Sequence, residues 1–444
     1  MSRIFFIFLL VLASIVRGPL SFLLVVLKNF SKQLKNRIDF ERKNLIESSS
    51  RSFKFDNEIA DYCFEVSSEG ELEQVRPLIE HYLSLNKRIE IIFASASVEG
   101  KCIKMSRDFG SQIRILRLPI ASFAPFDFLF FQSPWSWVSA PVIIFCRYDF
   151  YPELLCFKYL GKKLVLLSAA SKKPSWFKHQ AHSLFNLIIA ANEGEARYFK
   201  ETFKNIKVFA FDFRIPRIYK RISKASKTLE SSLELSAYLS FLDSLSPAKK
   251  LIMGSAWESD LVILKNRAEN DFWVEDLSKG NLHLLIVPHD LSSKSINNIK
   301  HALKSLMPSV ALYEISKDQK FDTDLFRLKP GIVILNLSGV LCELYTKFSL
   351  VYVGGGHERS IHSVLEPFLS GAQVVCGPKI TRSTEFDYIK DVAPEKIHLL
   401  NNPESFYNLT KEKLKEMHGV LRPFQLENES YTLMESIIKE IEIC

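Results

Sequence analysis

The chain lacks any C-x-x-C pair: its seven cysteines, at 63, 102, 146, 156, 342, 376 and 444, are scattered and odd in number. That pattern excludes a zinc ribbon and a disulfide framework. Most of these residues sit in apolar runs and read as reduced core residues of a cytosolic compartment. No Lys/Arg block is interleaved with aromatics at one site, which excludes a nucleic-acid-binding face. The formal charge of +8 over 444 residues is mild, and it suits an anionic membrane surface or an anionic substrate. No cluster of acidic residues is arranged for a divalent cation. Also missing is a single apolar run of the roughly twenty residues that a membrane span needs. Residues 4–16 are apolar apart from Ser14, Arg17-Gly18-Pro19 interrupts them, and 20–27 resume. Together the two runs suffice for a kinked span or an in-plane hairpin, and Val11-Leu12-Ala13 also has the form of a signal-peptide cleavage site. The basic residues that follow (Lys28, Lys32, Lys35, Arg37, Arg42 and Lys43) favour a retained membrane anchor over residues 1–30, with the body on the cytoplasmic side.

What is present is a globular composition, 47% hydrophobic and 24% charged, with room for two or three domains. Strand candidates recur at Tyr62–Val66, 88–94, 142–145, 163–167, 187–190 and 207–211, then at 249–253, 282–287, 332–335, 348–353 and Gln373–Cys376. Helical periodicity lies between them. Leu72, Val75, Leu78, Ile79 and Tyr82, for example, share one helix face. Strands alternating with helices in two halves predict an α/β fold of two Rossmann-like domains, doubly wound, with a cleft between them. The first domain is expected over 54–217, a Lys- and Ser-rich linker over 218–246, and the second domain over 247–425. A terminal amphipathic helix over 426–444 is expected to pack back on the first domain.

The stretch 351–379, VYVGGGHERSIHSVLEPFLSGAQVVCGPK, carries most of the chemistry. A strand runs into Gly354-Gly355-Gly356, a polar loop leads to Ser360-Ile361-His362-Ser363, and a helix-compatible run ends at Gly371 before the next strand. Glycines without side chains let a phosphate approach the backbone, and the N–H groups of a helix start at 360–363 favour its charge. Glu366, about one turn further on, is placed to accept hydrogen bonds from a ribose diol. The same run also reads as an ordinary glycine turn of an α/β sheet; the nucleotide reading rests on the glycines, His362, Ser363 and Glu366 sharing one connection. In the first half, Glu69, Glu71 and Glu73 crowd a predicted helix start, where carboxylates suit the helix dipole.

GGG followed by IHxxLEP and then GP resembles the donor-binding segment of the 3-deoxy-D-manno-octulosonate (Kdo) transferases of lipopolysaccharide synthesis. Further segments resemble that family in the same order. They are Ser68-Glu69-Gly70-Glu71 with Glu73-Gln74, Arg147-Tyr148-Asp149-Phe150-Tyr151-Pro152, Asp212-Phe213-Arg214, Gly254-Ser255-Ala256-Trp257, Pro288-His289-Asp290 and Asn336-Leu337-Ser338-Gly339. The resemblance implies a GT-B fold behind an apolar anchor and inverting transfer of Kdo from CMP-Kdo to a lipid A precursor at the cytoplasmic face of the inner membrane. It implies no metal and no other cofactor. Glu71 takes the role of general base, Asp149 stands for a second carboxylate, and the donor is held by Ser255, Trp257, Pro288, His289, Gly355, Gly356, His362, Ser363 and Glu366. The sequence departs from the family at Glu65 (usually His), Glu69 (aliphatic), Asp149 (Glu), Tyr151 (Trp) and Asn336 (Asp). Two alternatives stay open: an inactive membrane-bound relative serving as a scaffold, and a nucleotide-sugar epimerase.

Overall fold

The computed structural model describes residues 12, 15–16, 19–20, 22–48, 50, 52–55, 58–119, 133–147, 150–171, 176–265, 270–381, 383–416, 421–424 and 428–443. Two compact units result, one from residues 1–214 with 428–444 and one from residues 215–427. Each is built on a seven-stranded sheet in which every pairing is parallel.

The first sheet contains β1 (Tyr62–Val66), β2 (Ile89–Phe93), β3 (Ile113–Arg117), β4 (Val142–Cys146), β5 (Lys163–Ala169), β6 (Leu187–Ala190) and β7 (Lys207–Ala210). Its order is β3-β2-β1-β4-β5-β6-β7. Strands covered on both faces need no polar side, and so read as largely apolar runs such as LIIA and VIIFC. Phe64 and Val66 enter one core layer while Cys63 enters the other, as a period of two requires. The second sheet contains β8 (Lys250–Ala256), β9 (His283–Pro288), β10 (Ala311–Ile315), β11 (Gly331–Leu335), β12 (Leu350–Val353), β13 (Gln373–Cys376) and β14 (Ile397–Leu399), ordered β10-β11-β9-β8-β12-β13-β14.

Helix α1 (Lys32–Ile46) is fastened to the first unit. Asn44 exchanges two hydrogen bonds with the Arg117 backbone, at 2.7 and 3.0 Å, and Phe40 meets Phe93 edge-on at 5.9 Å. Arg37 donates to the carbonyls of Ala94 and Leu118, just past the ends of β2 and β3. Helix α2 (Glu69–Ser84) follows β1. Helix α3 (Trp176–His182) precedes β6.

Residues 218–246 are not a linker. They form most of α4 (Arg214–Ser223), with α5 (Ala225–Glu230) and α6 (Ser236–Ser244). Ile215, Ile218, Ile222, Leu229, Leu235, Tyr238 and Leu242 belong to the core of the second unit. The Lys and Ser residues cover the outer faces of these helices, which is why composition alone suggested an exposed crossing. Helix α7 (Leu365–Leu369) and helix α8 (Thr384–Val392) flank β13, and α9 (Asn428–Ile443) places Ile437, Ile438 and Ile441 in the core of the first unit. Among the described residues no helix is long and apolar enough to cross a membrane. Most of residues 1–21 lies outside the described set.

His182, at the end of α3, is 2% exposed and enclosed edge-on by Phe150 and Phe199 at 5.1 and 5.0 Å. Neither ring nitrogen has a hydrogen-bond partner among the described residues. Burial, helped by Lys178 and His179, pushes its pKa down to about 4. Stability from keeping this ring neutral is therefore present above pH 6.5 and lost as pH falls towards 4. His182→Leu is expected to raise the unfolding free energy by about 1–2 kcal/mol at pH 7, since burying an unpaired polar group costs about that much. It should also flatten the acid limb between pH 6.5 and 4. Denaturant titration at pH 7 and 5 checks this, and a variant less stable than wild type at both contradicts it.

Candidate functional site

The first sheet reverses its winding between β1 and β4, the second between β8 and β12. In open parallel sheets such a reversal opens a crevice past the carboxyl ends of the strands, and ligands bind there. The singled-out residues that the structure describes lie at or beside these reversals.

In the second unit the chain leaves β8 through Ser255, a non-glycine residue with φ 53°. It leaves β12 through Gly355 and Gly356, both with φ 82°. These glycines are required by shape as well as by torsion. A Cβ on Gly355 would fall against the Ser360 carbonyl, and one on Gly356 would lie 2.8 Å from Gly377 Cα and Ile361 Cγ2. The two loops are tied by a residue the sequence reading missed. Asp260 Oδ2 accepts the backbone N–H of Trp257 at 2.8 Å and that of Gly355 at 2.9 Å. Tyr352 adds its hydroxyl to Oδ1 at 3.3 Å. Burial raises the Asp260 pKa to about 6, against the lowering effect of those three donors. Nothing local in SAWESD marks Asp260, because its partner arrives from nearly a hundred residues away.

On this frame Trp257, His289 and His362, read from three separate motifs, come together. The imidazoles of His289 and His362 stack at 4.0 Å with an interplanar angle of 12°. The indole lies 4.6 Å from His289. Trp257 Nε1–H donates to His362 Nε2 at 2.8 Å, which requires a neutral His362 with its proton on Nδ1. Burial, together with electrostatic repulsion from His289 and Arg359, holds His362 down at about 4. Burial also lowers His289. The Arg359 guanidinium covers the indole at 4.0 Å from the ring centroid. Pro288 is buried at the end of β9, and His289 N donates to the Ala256 carbonyl at 2.9 Å. The result is a set of flat groups of the kind that stacks on a nucleobase.

No helix starts at 360–363, where one was expected to hold a phosphate. The helix begins at Leu365, and its first donors are already used. Glu385 Oε2 accepts from Ser363 Oγ at 2.9 Å, Val364 N at 2.9 Å and Leu365 N at 3.1 Å. An internal carboxylate thus stands where a phosphate was expected, and Ser363 serves that carboxylate. Glu366 is 3.5 Å from Arg221 Nη1, while Nε and Nη2 of the same arginine clasp Glu343 at 2.8 Å each. Asn336 donates to Glu314 at 3.0 Å, an edge contact between β10 and β11.

In the first unit Glu71 lies on the first turn of α2, 5% exposed. Its Oε2 accepts the Ser67 N–H at 2.6 Å, and its own N–H donates to Ser68 Oγ at 3.3 Å. Ser67 Oγ donates to Glu65 at 2.8 Å and lies 3.0 Å from the Tyr151 hydroxyl. Arg147, past β4 with φ 67°, donates to Gln74 at 3.0 Å. Glu65, Ser67, Glu71, Gln74, Arg147 and Tyr151 thus form one polar group at the reversal. Asp149 lies outside the described residues. Glu69 pairs with Lys101 at 2.9 Å, a surface charge.

No protein-family model matches the chain, and no curated protein matches it. Among solved structures it is similar to UDP-GlcNAc 2-epimerase from Neisseria meningitidis bound to UDP-GlcNAc, with 14% identity and a TM-score of 0.50 over 85% of this chain and 100% of that one. It is also similar to a glycosyltransferase from Rickettsia africae, with 14% identity and a TM-score of 0.45 over 86% and 99%. A third match is the C-terminal CMP-Kdo binding domain of WaaA from Acinetobacter baumannii, with 15% identity and a TM-score of 0.33 over 50% and 98%. At such identities the likeness is one of fold. The chain has two Rossmann-like α/β units of the GT-B kind.

Proposed function

We propose that the protein is an inverting glycosyltransferase that moves Kdo from CMP-Kdo to a hydroxyl of a lipid A precursor, without a metal ion. The observation that carries this reading is the division of groups between the two switch points. Stacked flat groups and a glycine loop stand at β8–β12, and a carboxylate group stands at β1–β4. The first set suits a nucleotide, and the second suits a hydroxyl that must lose its proton. Glu71 removes that proton as the acceptor oxygen attacks the anomeric carbon. The bond from that carbon to the phosphate oxygen breaks on the opposite face, and CMP leaves with the electron pair. Fixed donors and cations, arranged before the reaction, stabilise the charge that develops there.

The acceptor's lipid nature is supported by the N-terminal segment. Phe22 and Phe30 are 70% and 83% exposed, with Leu23, Val26 and Leu27 also exposed between them. Apolar side chains so presented, next to Lys28, Lys32 and Lys35, suit the cytoplasmic face of an anionic bilayer. Helix α1 ties this segment to the ends of β2 and β3, the same edge of the sheet that carries Glu71. Deleting residues 1–30 is expected to move the protein from the membrane pellet to the supernatant with its unfolding midpoint unchanged, because α1 stays. A truncated protein that still sediments with membranes contradicts the anchor.

The reading itself is tested by incubating the full chain with radiolabelled CMP-Kdo and a tetraacylated lipid A precursor in detergent. Label in the lipid fraction supports it. Label recovered only as a free or isomerised sugar points to an epimerase or a hydrolase. No consumption of donor points to a scaffold.

A further inference from the structure

We infer that Arg359 receives the donor's phosphate, in place of the helix start that Glu385 has closed. The inference rests on the proposed nucleotide-sugar reading and deepens it. Three observations combine. Ser363 Oγ and the N–H groups of Val364 and Leu365 all converge on one Glu385 oxygen, so an incoming anion finds these donors engaged and a negative charge beside them. Arg359 is exposed, and no carboxylate pairs with it among the described residues. Its guanidinium is nevertheless held in place at 4.0 Å over the Trp257 ring.

A cation resting on an aromatic face keeps its edge N–H groups available. In Arg359 this edge borders the flat groups that suit a base, since the same Trp257 lies 4.6 Å from His289 and bonds His362 at 2.8 Å. The carbonyl of Arg359 accepts the Gly356 N–H at 2.7 Å, which fixes the arginine to the glycine loop. One oriented cation beside a stacking surface matches a nucleoside monophosphate ester, which carries one negative charge. A charge-assisted, bidentate contact to its two unesterified oxygens follows from guanidinium geometry. Lys379, whose Nζ donates to the Glu358 carbonyl at 2.9 Å, adds positive charge to the same loop.

The experiment is calorimetric titration of the full chain, as wild type, Arg359→Gln, Arg359→Lys and Glu385→Gln, with CMP, cytidine, UMP and uridine. Arg359→Gln is expected to weaken CMP by about ten- to hundredfold and to leave cytidine unchanged. Arg359→Lys, which keeps the charge and loses the fork, should recover part of the loss. Equal affinities of wild type and Arg359→Gln for CMP, or equal losses for CMP and cytidine, overturn the assignment. So does a Glu385→Gln variant that binds CMP at least tenfold tighter, because the helix start would then be the phosphate site. If the nucleotide-to-nucleoside gap closes in Arg359→Gln but uridine compounds bind better than cytidine ones, the Arg359 assignment holds and the CMP reading falls. If wild type binds none of the four, both fall. Circular dichroism confirms that each variant is folded.

Discussion

Glu71→Gln is expected to lower turnover by about 10²–10⁴-fold, the usual contribution of a general base, while donor affinity stays at the wild-type value. Structure makes this substitution informative. Ser68 caps α2 by accepting the Glu71 N–H, and the Glu71 side chain accepts the Ser67 N–H at 2.6 Å, for which glutamine keeps an acceptor oxygen of the same reach. The Ser68 cap, worth about 1 kcal/mol, and the Ser67 contact are therefore both retained while the negative charge is lost. A fall in single-turnover rate with unchanged thermal stability isolates proton removal from helix capping. Glu69→Gln and Glu73→Gln are the controls. Their charges face Lys101 at 2.9 and 3.9 Å on the surface, and they should cost little. Equal rates for Glu71→Gln and wild type would move the base elsewhere, with Asp149 the next to replace.

Asp260→Ala should have the other large effect, on donor binding. Asp260 is fully buried and holds the N–H groups of Trp257 and Gly355. Removing it leaves the buried Gly355 N–H and the half-buried Trp257 N–H unpaired, the buried one at about 1–3 kcal/mol. Donor affinity should fall by more than about a hundredfold, and the unfolding midpoint should drop as well. Wild type adds a pH signature. Burial lifts the Asp260 pKa to about 6, so its contribution to stability is fully present below the ordinary carboxylate range and lost as pH rises through about 6. Affinity should run the opposite way. As pH falls through 6 the carboxyl is neutralised and its grip on the two N–H groups weakens. Near pH 4 His362 also protonates, and the Trp257 indole N–H loses its acceptor. Asp260→Asn should abolish the step near pH 6 and keep the one near 4. A wild-type affinity that is flat between pH 7 and 5 contradicts this role for Asp260.

Much of the fold was legible because doubly covered parallel strands are predominantly apolar. Tyr62–Val66, Leu187–Ala190 and Gln373–Cys376 read from sequence with the observed bounds. Three strands went unread, each for a physical reason. β3 carries Arg114 and Arg117, whose charges are matched internally by Glu90, Glu47 and Glu99, so IRILR does not look like a core strand. β10 is a half-covered edge strand, and β14 has three residues. The misread linker did carry a signal, since Ile215, Ile218 and Ile222 repeat at helical spacing. Trp257 and His289 could be singled out because each follows a strand end in a recognisable motif, and His362 because it lies on the glycine connection after β12. Asp260, Glu385 and Arg359 were not, because their significance depends on loops that only the fold brings together. The engagement of the helix start was not legible for the same reason: the carboxylate that accepts its first N–H groups lies some twenty residues downstream, on α8.

Whether the β8–β12 switch point holds the nucleotide can be read from hydrogen–deuterium exchange of the full chain with and without saturating CMP. Slowed exchange is expected in peptides covering 254–260 and 354–364, with no change over 65–71. Protection over 65–71 in place of these loops, or no protection at either loop, would contradict it.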